Sequence, residues 1–447
     1  MSDLRIGIAS GTTGTDAVAI DDRDRLLATA SVQAAGDVRG AIAAAIRAIV
    51  ADDAVVPGAV RWVVLGSGQA LEGVAAVQGV RKVAVVRVGG PLTLSVPPLA
   101  TWPSALRDAV SAGEIVVAGG SEYDGRAMVA LDEDAIARFL DGVGDEVQAI
   151  AISGVFAPVS PEHELAAADL VRRKLGNLVH VSLSHEIGSI GLLERENATV
   201  LNAALGGAAE RLAVAVRATL AEVGIDAELF FAQNDGTLMV VEHALRFPAL
   251  MVASGPGTTI RGAAHLSGVG DAVVVAVGAT TSYVGALVNG IPRERTGPTE
   301  IAGVRTSLRL PDVHRVPTGD ATLAGAVEDA KAAQPAGPLV VVGRGQWLVP
   351  DRMDGVSEVI RPRDGEFAQA IGAAVGSVSG QFARICLNRP DTRRTVLEEV
   401  RTAAIARAID AGAHPDTVAV VEVDEAPLTY LFHPALRIRV RAAGPCW

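Results

Sequence analysis

The sequence predicts an α/β protein with two similar halves that face each other across a cleft and a further α/β region inserted between them. A repeated hairpin is the main observation. The segments Arg5–Asp21 and Ala272–Gly290 each read as an apolar strand, a turn rich in glycine and threonine, and a second apolar strand. Length is the other observation, because 447 residues are too many for one compact core. A duplicated unit in a chain of this size favours paired domains.

The elements of residues 4–88 are predicted in the order βββαβαβ. A helix is expected over 38–51, where Ile42, Ile46 and Ile49 recur at helical spacing. This order is that of a ribonuclease-H-like half, although other α/β folds share it. Strands are predicted over 4–9, 16–20, 26–32, 61–65 and a last run that ends at Val88.

The middle of the chain reads as alternating strands and helices after a loop rich in glycine and proline at 89–103. Its longest helical pattern covers 191–223 and has a broad apolar stripe, which is typical of a core helix. Strands are predicted over 115–120, 147–156, 179–183 and 230–232.

Two polar clusters in this middle region each have a structural and a functional interpretation. His163 with Glu162 and Glu164 has the residue types of a metal site, but both acids also suit the first turn of a helix capped at Ser160. Capping is therefore the favoured interpretation. Ser184-His185-Glu186 directly follows a predicted buried strand, where α/β proteins place ligand-binding side chains.

Two further stretches lie before the second hairpin. Asp235 follows a predicted strand within Gln233–Gly236, and Ser254–Gly257 precedes a predicted helix. Helix N-termini bind phosphate groups, so this helix start is a candidate phosphate site. A structural turn in which Asp235 accepts backbone hydrogen bonds is the alternative, and the residues favour neither.

The repeated hairpins are the strongest candidates for a binding site. When they are aligned, Gly11 corresponds to Gly278 and Thr13 to Thr280. Glycine lets backbone N–H groups approach a phosphate, and threonine hydroxyls add donors. Ordinary turns have the same composition without any ligand, which is the alternative. The predicted phosphate-binding residues are Gly11, Thr12, Thr13, Gly14, Thr15, Gly278, Thr280, Thr281 and Ser282.

The chain resembles the A subunit of the hydantoinase/oxoprolinase family, which also includes subunits related to acetone and acetophenone carboxylases. Both hairpins are similar to the family's D-x-G-G-T-x-T-D loops, and Leu193–Asn202, Gln233–Met239 and Pro427–Tyr430 resemble other family segments. The likeness covers nearly the whole chain.

The resemblance implies the fold of the sugar kinase/Hsp70/actin-like ATPases. In that fold two ribonuclease-H-like domains, here 1–88 and 271–447, enclose a cleft, and 89–270 would be the inserted α/β region. Gly343 and Gly345, after a predicted strand at 339–342, align with the family's adenosine loop.

The activity that the resemblance implies is ATP-dependent opening of a cyclic amide such as a hydantoin, 5-oxoproline or a lactam, or a related carboxylation. ATP and Mg²⁺ would be the cofactors. Asp16 and Asp235 would supply the catalytic carboxylates. A hydantoinase-B-like subunit would be the partner in a cytoplasmic complex, and the chain itself would be a candidate homo-oligomer.

The chain departs from the family pattern at the loops. Ala9 and Ala276 replace the leading aspartates, Thr12 and Ala279 replace the second glycines, and Arg344 interrupts the adenosine loop. Mg²⁺ is held by carboxylates, water and phosphate oxygens, and alanine supplies none of these ligands. The sequence therefore predicts degenerate metal–nucleotide loops. The alternative function is a catalytically inactive actin-like scaffold or regulatory subunit, that is, a pseudoenzyme.

Composition excludes several other functions. A net charge of −12 without a basic stripe argues against a nucleic-acid partner. Cys386 and Cys446 form neither a disulfide framework nor a metal motif, and we predict no metal-ligand cluster. Asp3 and Arg5 precede a strand pattern in place of a signal peptide, and no long uninterrupted apolar run predicts a membrane span.

Overall fold

The predicted α/β class is confirmed, because the protein combines helices with several separate sheets. The computed structural model describes residues 3–11, 14–33, 37–66, 79–144, 146–176, 179–188, 191–331, 337–429 and 434–446. The strands are β1 (Leu4–Ser10), β2 (Gly14–Ile20), β3 (Leu26–Gln33), β4 (Val60–Gly66), β5 (Val83–Gly90), β6 (Ser111–Ala118), β7 (Ala149–Gly154), β8 (His180–Leu183), β9 (Glu228–Ala232), β10 (Leu238–Val240), β11 (Ala272–Val277), β12 (Thr281–Val288), β13 (Ile291–Pro292), β14 (Thr299–Ile301), β15 (Val304–Thr306), β16 (Val313–Pro317), β17 (Leu339–Val342), β18 (Val359–Ile360), β19 (Val378–Leu387), β20 (Ala419–Leu428) and β21 (Ala435–Gly444). The helices are α1 (Val38–Val50), α2 (Ser104–Val110), α3 (Glu133–Gly142), α4 (Glu162–Leu175), α5 (Ser184–Ile187), α6 (Leu192–Glu222), α7 (Val241–Arg246), α8 (Ser254–Ser267), α9 (Leu323–Lys331), α10 (Ala368–Ala374) and α11 (Pro390–Asp410).

The first hairpin lies at one side of a nine-stranded sheet with the order β20-β21-β19-β10-β9-β4-β1-β2-β3. As predicted, β1 pairs antiparallel with β2, and β2 with β3. On its other side β1 runs parallel to β4, which runs parallel to β9. The carboxyl ends of β1, β4 and β9 therefore lie at one edge of this sheet, where β1 delivers the turn after Ser10.

The second hairpin is the centre of another sheet, with the order β13-β12-β11-β17-β18 and with β16 paired to β12. The antiparallel pairing of β11 with β12 runs from Ala272 opposite Leu287 to Val277 opposite Ser282, as predicted. β17 runs parallel to β11. Each hairpin thus begins with a strand that has a parallel neighbour, so the two similar sequences occupy similar places in their sheets.

A four-stranded parallel sheet forms the inserted region, with the order β6-β5-β7-β8. It contains β5, so the strand predicted to end at Val88 is present but pairs in this sheet and not with β4. The reason is strand pairing, because β9 occupies the edge of β4 while β6 and β7 flank β5. The helix predicted between β4 and β5 falls on 67–78, which lie outside the described residues.

The last three strands join the first sheet. β19 pairs with β10 and β21, and the pairing of β21 with β20 confirms the predicted C-terminal hairpin. α10, which directly precedes β19, also packs against β1 of this sheet. Strands of the predicted third region therefore pair in the same sheet as strands of the first. The division into domains at 1–88, 89–270 and 271–447 stays a prediction.

Two helices join the two large sheets. α10 packs on the first sheet so closely that a Cβ added to Gly7 of β1 would lie 2.1 Å from a carbonyl oxygen of α10. α8 packs on the second sheet through an apolar cluster that includes Ile260 and Leu287. Where the helices cross, a Cβ added to Gly262 or Gly372 would lie 1.8 Å from a carbonyl oxygen of the opposite helix. The two backbones are therefore in direct contact.

The longest helix, α6, is a core helix, as predicted. It is long and apolar enough to cross a membrane, but 72% of its most apolar 18-residue stretch is buried inside the protein. Burial in this fold accounts for its apolar composition.

We expect acid to destabilise the protein through His243 on α7. Burial, followed by the charges of Arg246 and Arg407, lowers the pKa of His243 from 6.5 to about 4. Because the folded-state pKa is the lower one, this contribution to stability is complete above pH 6.5 and falls by about 3 kcal/mol as the pH approaches 4. Chemical denaturation of the wild type and of His243→Leu at several pH values measures the effect. The variant should lose less stability on acidification, and equal losses would contradict the prediction.

Candidate functional site

The first hairpin turn is closed by its own backbone. The N–H of Gly11 donates to the carbonyl oxygen of Gly14 at 2.8 Å. A Cβ added to Gly14 would lie 2.7 Å from the carbonyl oxygen of Val32, so the pairing of β2 with β3 requires glycine here. Thr12 and Thr13, both predicted phosphate ligands, lie outside the described residues.

The next two residues point to opposite faces of β2. Thr15 is buried and its Oγ1 donates to Ser10 Oγ at 3.2 Å. Asp16 is partly exposed, and its Oδ1 accepts a hydrogen bond of 2.6 Å from Ser31 Oγ on β3. Asp16 is therefore the charged group that this hairpin presents to the cleft.

The second hairpin turn is supported by Thr318, which follows β16. Thr318 Oγ1 donates to the carbonyl oxygen of Gly278 at 2.9 Å and lies 3.0 Å from Ser282 Oγ. The Thr318 N–H donates to the carbonyl oxygen of Thr280 at 3.0 Å. A Cβ added to Gly278 would lie 2.6 Å from the carbonyl oxygen of Thr281, so the turn excludes a side chain. Thr318 could not be predicted from the hairpin motif, because it lies 40 residues after Gly278 in the chain.

The predicted adenosine loop packs on this second hairpin. Gly343 has a φ of +93°, and a Cβ there would lie 2.5 Å from the carbonyl oxygen of Val277. The same oxygen accepts the N–H of Gly345 at 3.2 Å. Both glycines are needed for this close approach, which fixes the backbone of Arg344 between them.

Arg344 bridges the cleft. Its Nη2 lies 2.5 Å from Asp16 Oδ1 and donates to Ser31 Oγ at 2.8 Å. The loop that carries Arg344 belongs to the second sheet, whereas Asp16 and Ser31 belong to the first. The loop that packs on the second hairpin therefore contacts the first hairpin through Arg344.

A cavity of about 590 Å³ opens beside Arg344. Trp347 lies at its rim and is 74% exposed, so one face of the indole is free for stacking. The flat ring is suited to stacking on a planar ligand, and arginines and carboxylates both line the cavity. The lining residues are Arg344, Gln346, Trp347, Asp351, Arg361 and Glu366.

The start of α8 lies near the carboxyl edge of the first sheet. Gly236, which follows β9, packs against Gly257 of α8 so closely that a Cβ added to Gly236 would lie 2.5 Å from the Gly257 carbonyl carbon. Two buried polar atoms in this neighbourhood, Asn234 Nδ2 and Ser254 Oγ, have no hydrogen-bond partner in the described part of the chain. Unpaired buried donors next to a helix N-terminus are suited to an anion.

Asp235 is used inside the fold. Its Oδ1 accepts hydrogen bonds from the N–H of Thr237 at 2.9 Å and from its Oγ1 at 2.6 Å, and Oδ2 lies 3.7 Å from Arg441 Nη1. Burial opposes ionisation of Asp235, but the charges of Arg441 and Arg261 and the Thr237 hydrogen bonds outweigh it and lower its pKa. The structural-turn interpretation therefore accounts for this carboxylate.

The leading positions of both hairpins lack the carboxylates that hold Mg²⁺ in proteins. Ala9 and Ala276 provide no oxygen ligand from their side chains, and the carboxylate of Asp16 is already neutralised by Arg344. Within the described ranges no three His, Cys, Asp or Glu side chains are grouped as a metal site. The positive charge beside Asp16 is the guanidinium of Arg344.

The capping interpretation of the inserted region needs a correction. Glu162 and Glu164 do lie in the first turn of α4, but the N-cap is Pro161 and Ser160 Oγ contacts the Glu162 carboxylate. Glu164 is buried and hydrogen-bonded to the segment that begins at Ser184. The local sequence predicted the start of α4, but it could not predict that Glu164 contacts Ser184.

Comparison with known proteins identifies the family. The sequence matches the family Hydantoinase/oxoprolinase N-terminal region over residues 5–175 and the family Hydantoinase/oxoprolinase over residues 195–338. Among curated proteins no match is found.

Two solved structures share the fold. One is a nucleotide-free acetone carboxylase, from work on ATP-dependent acetone carboxylation, with 13% identity, a TM-score of 0.70 and coverage of 100% of this chain and 88% of that one. The other is an ATP-dependent caprolactamase from Pseudomonas jessenii, with 15% identity, a TM-score of 0.74 and coverage of 98% and 87%. The predicted actin-like architecture, two ribonuclease-H-like units around a cleft with an inserted α/β region, is confirmed. With both sequence matches spanning most of its length, the chain belongs to the hydantoinase/oxoprolinase family.

Proposed function

We propose that this chain is the nucleotide-binding subunit of an ATP-dependent enzyme that opens a cyclic amide, such as a hydantoin, 5-oxoproline or a lactam, or that carries out a related carboxylation. The contact between the two halves supports this most strongly: the adenosine-type loop packs on the second hairpin, and its Arg344 pairs with Asp16 of the first. The names of the two structural neighbours support ATP as the cofactor, since both describe ATP-dependent reactions.

In this proposal the phosphates of ATP lie between the hairpins and the base lies in the cavity beside Trp347. Residues 278–280 of the second hairpin turn are exposed, and the Ser254 end of α8 adds a favourable dipole. When bound, ATP would supply the phosphoryl group that activates the amide.

Arg344 would supply the positive charge that a metal ion gives elsewhere. A guanidinium pairs well with phosphate oxygens, and a bound phosphate would compete with Asp16 for it. Asp16, once released, would be the free carboxylate of the cleft. We do not assign a catalytic role to Asp235, because its carboxylate is satisfied within the fold.

The second candidate function is a catalytically inactive scaffold of the same complex. Alanine at positions 9 and 276 favours it, because its side chain offers Mg²⁺ no ligand. In either case we propose a hydantoinase-B-like partner, a cytoplasmic location and possible self-association.

Calorimetric titration with ATP tests the proposal. We expect wild-type protein to bind ATP equally with Mg²⁺ and with EDTA, and Arg344→Met to bind at least about tenfold more weakly, since a hydrogen bond to a charged group is lost. Arg363→Met is the matched control, because that arginine is 96% exposed and it should bind as the wild type does.

Three outcomes separate the candidates. Binding that requires Mg²⁺ would contradict the role given to Arg344. No heat from wild-type protein at millimolar ATP would instead support the scaffold. Tighter ATP binding by Arg344→Met would show that the arginine blocks the cleft.

A further inference from the structure

A second cavity, of about 630 Å³, lies between β16 and α9. Its lining includes four consecutive strand residues, 313–316, and four residues of the helix, Thr322, Gly325, Ala326 and Asp329. Helical positions with this spacing lie on one side of a helix. The cavity is therefore a groove between β16 and one side of α9.

One edge of β16 is free to pair with another chain. Among the described strands β16 pairs with β12 alone. Hydrogen bonding in this antiparallel pair includes Thr318, whose N–H donates to the carbonyl oxygen of Thr280, and it involves every second residue from there. Val313 and Arg315 lie at the positions in between, so their N–H and C=O groups point away from β12. An edge of this kind is a template for an added strand.

The side chains of β16 alternate between two faces of the sheet. Val316 points to α9, since it belongs to one apolar cluster with Ala326 and Val327. Arg315 points to the opposite face, where its guanidinium carbon lies 5.5 Å from the centre of the Tyr283 ring. Residues from both faces line the cavity, so the groove reaches the free edge of the strand.

The side of α9 that faces the groove leaves room for an extended chain. Gly325 is exposed, and a Cβ added to it would meet nothing within 4 Å. Val316 and Ala326 are buried and form an apolar floor. Small residues at these two helical positions therefore keep the space beside β16 open.

The two faces of this edge differ in charge. Arg315 is exposed, and none of the ion pairs between residues that the structure describes involves it, so its positive charge is not balanced. Asp329 lies on the helix side of the groove and would repel an acidic side chain there. An added strand would therefore place acidic side chains on the face of Arg315 and apolar ones on the face of α9.

We propose that the groove binds an extended segment of a partner protein, in which acidic and apolar side chains alternate, as an additional strand beside β16. Its backbone pairs with Val313 and Arg315, and an acidic side chain lies beside the Arg315 guanidinium as a cross-strand pair of opposite charge. Pairing with β16 of a second copy would bring two Arg315 side chains together on one face, which their like charges disfavour. The inference does not rest on the proposed ATP function.

The test uses calorimetric titration of the full chain, without nucleotide, with the peptide acetyl-Glu-Val-Glu-Val-Glu-amide. The control peptide has lysine in place of glutamate. We expect the acidic peptide to bind and the lysine peptide to bind at least about tenfold more weakly, because its charge is repelled by Arg315. Absence of binding by the acidic peptide, or equal binding of the two peptides, would overturn the proposal.

Two N-methylated forms of the acidic peptide test the backbone pairing. One carries methyl groups on the amides of its valines, and the other on the amides of its glutamates. An added strand turns only one alternate set of N–H groups towards its neighbour. One form should therefore bind as the parent does, and the other at least about tenfold more weakly. Equal affinities of the two forms would rule out strand addition.

Variants of the chain test the two walls of the groove. Arg315→Glu should weaken binding of the acidic peptide at least about tenfold and strengthen binding of the lysine peptide, a gain that misfolding cannot produce. Gly325→Leu should fill the groove and also weaken binding at least about tenfold. Ala324→Leu is its matched control, because this position is exposed on the same helix but does not line the cavity. Wild-type affinity in both Arg315→Glu and Gly325→Leu would contradict the proposal.

Other occupants of the groove give different results. Binding of acetyl-glutamate amide as tightly as the pentapeptide would assign the groove to a small anion. A wild-type dimer in analytical ultracentrifugation that Gly325→Leu dissociates would assign it to a second copy. Either result would overturn the proposal. Arg344→Met should bind the acidic peptide as the wild type does, so this test is independent of ATP binding.

Discussion

Gly372→Ala should destabilise the protein by about 3 kcal/mol or more. The added methyl group would lie 1.8 Å from the carbonyl oxygen of Thr258 and 2.7 Å from the backbone nitrogen of Gly262. Neither atom can rotate away, because both belong to the backbone of α8, so the helices must separate. The loss should appear as a lower midpoint in chemical denaturation.

Gly325→Ala on α9 is the matched control, because it is also a glycine-to-alanine change within a helix. A Cβ at Gly325 meets nothing within 4 Å. It should be neutral or stabilising by up to about 1 kcal/mol, owing to the higher helix propensity of alanine. If the two variants had the same stability, α8 and α10 would not be in backbone contact.

Glu196→Gln should cost about 3–5 kcal/mol of stability, because it leaves the guanidinium of Arg87 buried without its counter-charge. Arg87 and Glu196 have side-chain exposures of 0% and 2%. Arg87 Nε donates to Glu196 Oε2 at 2.7 Å, and Ser153 Oγ donates to the same oxygen at 2.8 Å. The pair links β5 of the inserted sheet to α6. Thermal and denaturant unfolding would measure the effect.

Two further variants test why Glu196→Gln loses stability. Replacing both partners, as Arg87→Met with Glu196→Leu, should recover most of the lost stability, because no buried charge is left unpaired. Glu242→Gln breaks the exposed pair with Arg217, whose side chains are 54% and 62% exposed, and should leave the unfolding midpoint unchanged. If the double variant were no more stable than Glu196→Gln, the penalty would not come from an unpaired charge.

The hairpins could be predicted because their signal is local. Apolar strands on both sides of a glycine turn specify their own antiparallel pairing. The partner of β4 could not be predicted in this way. Val83–Gly90 and Glu228–Ala232 are both apolar strands, and only the three-dimensional packing assigns the second to β4 and the first to the inserted sheet.

The contacts of the candidate sites were also beyond local sequence. Asp16 and Arg344 are 328 residues apart in the chain, and Glu164 and His185 are 21 apart. The sequence showed Arg344 as an interruption of a glycine loop and Glu164 as a residue of a first helical turn. Which group each side chain meets depends on how separate elements pack, and periodicity carries no information about that.

The crossing of α8 and α10, where glycines bring the two backbones into contact, affects how the two large sheets can move. Interdigitated side chains hold two helices in one register, whereas surfaces of small residues let one helix slide along the other. α8 packs on the second sheet and α10 on the first. A short displacement of one helix along the other would therefore move the two sheets relative to each other and change the distance that Arg344 spans. We expect the two large sheets to move apart by sliding of α8 along α10 at Gly262 and Gly372.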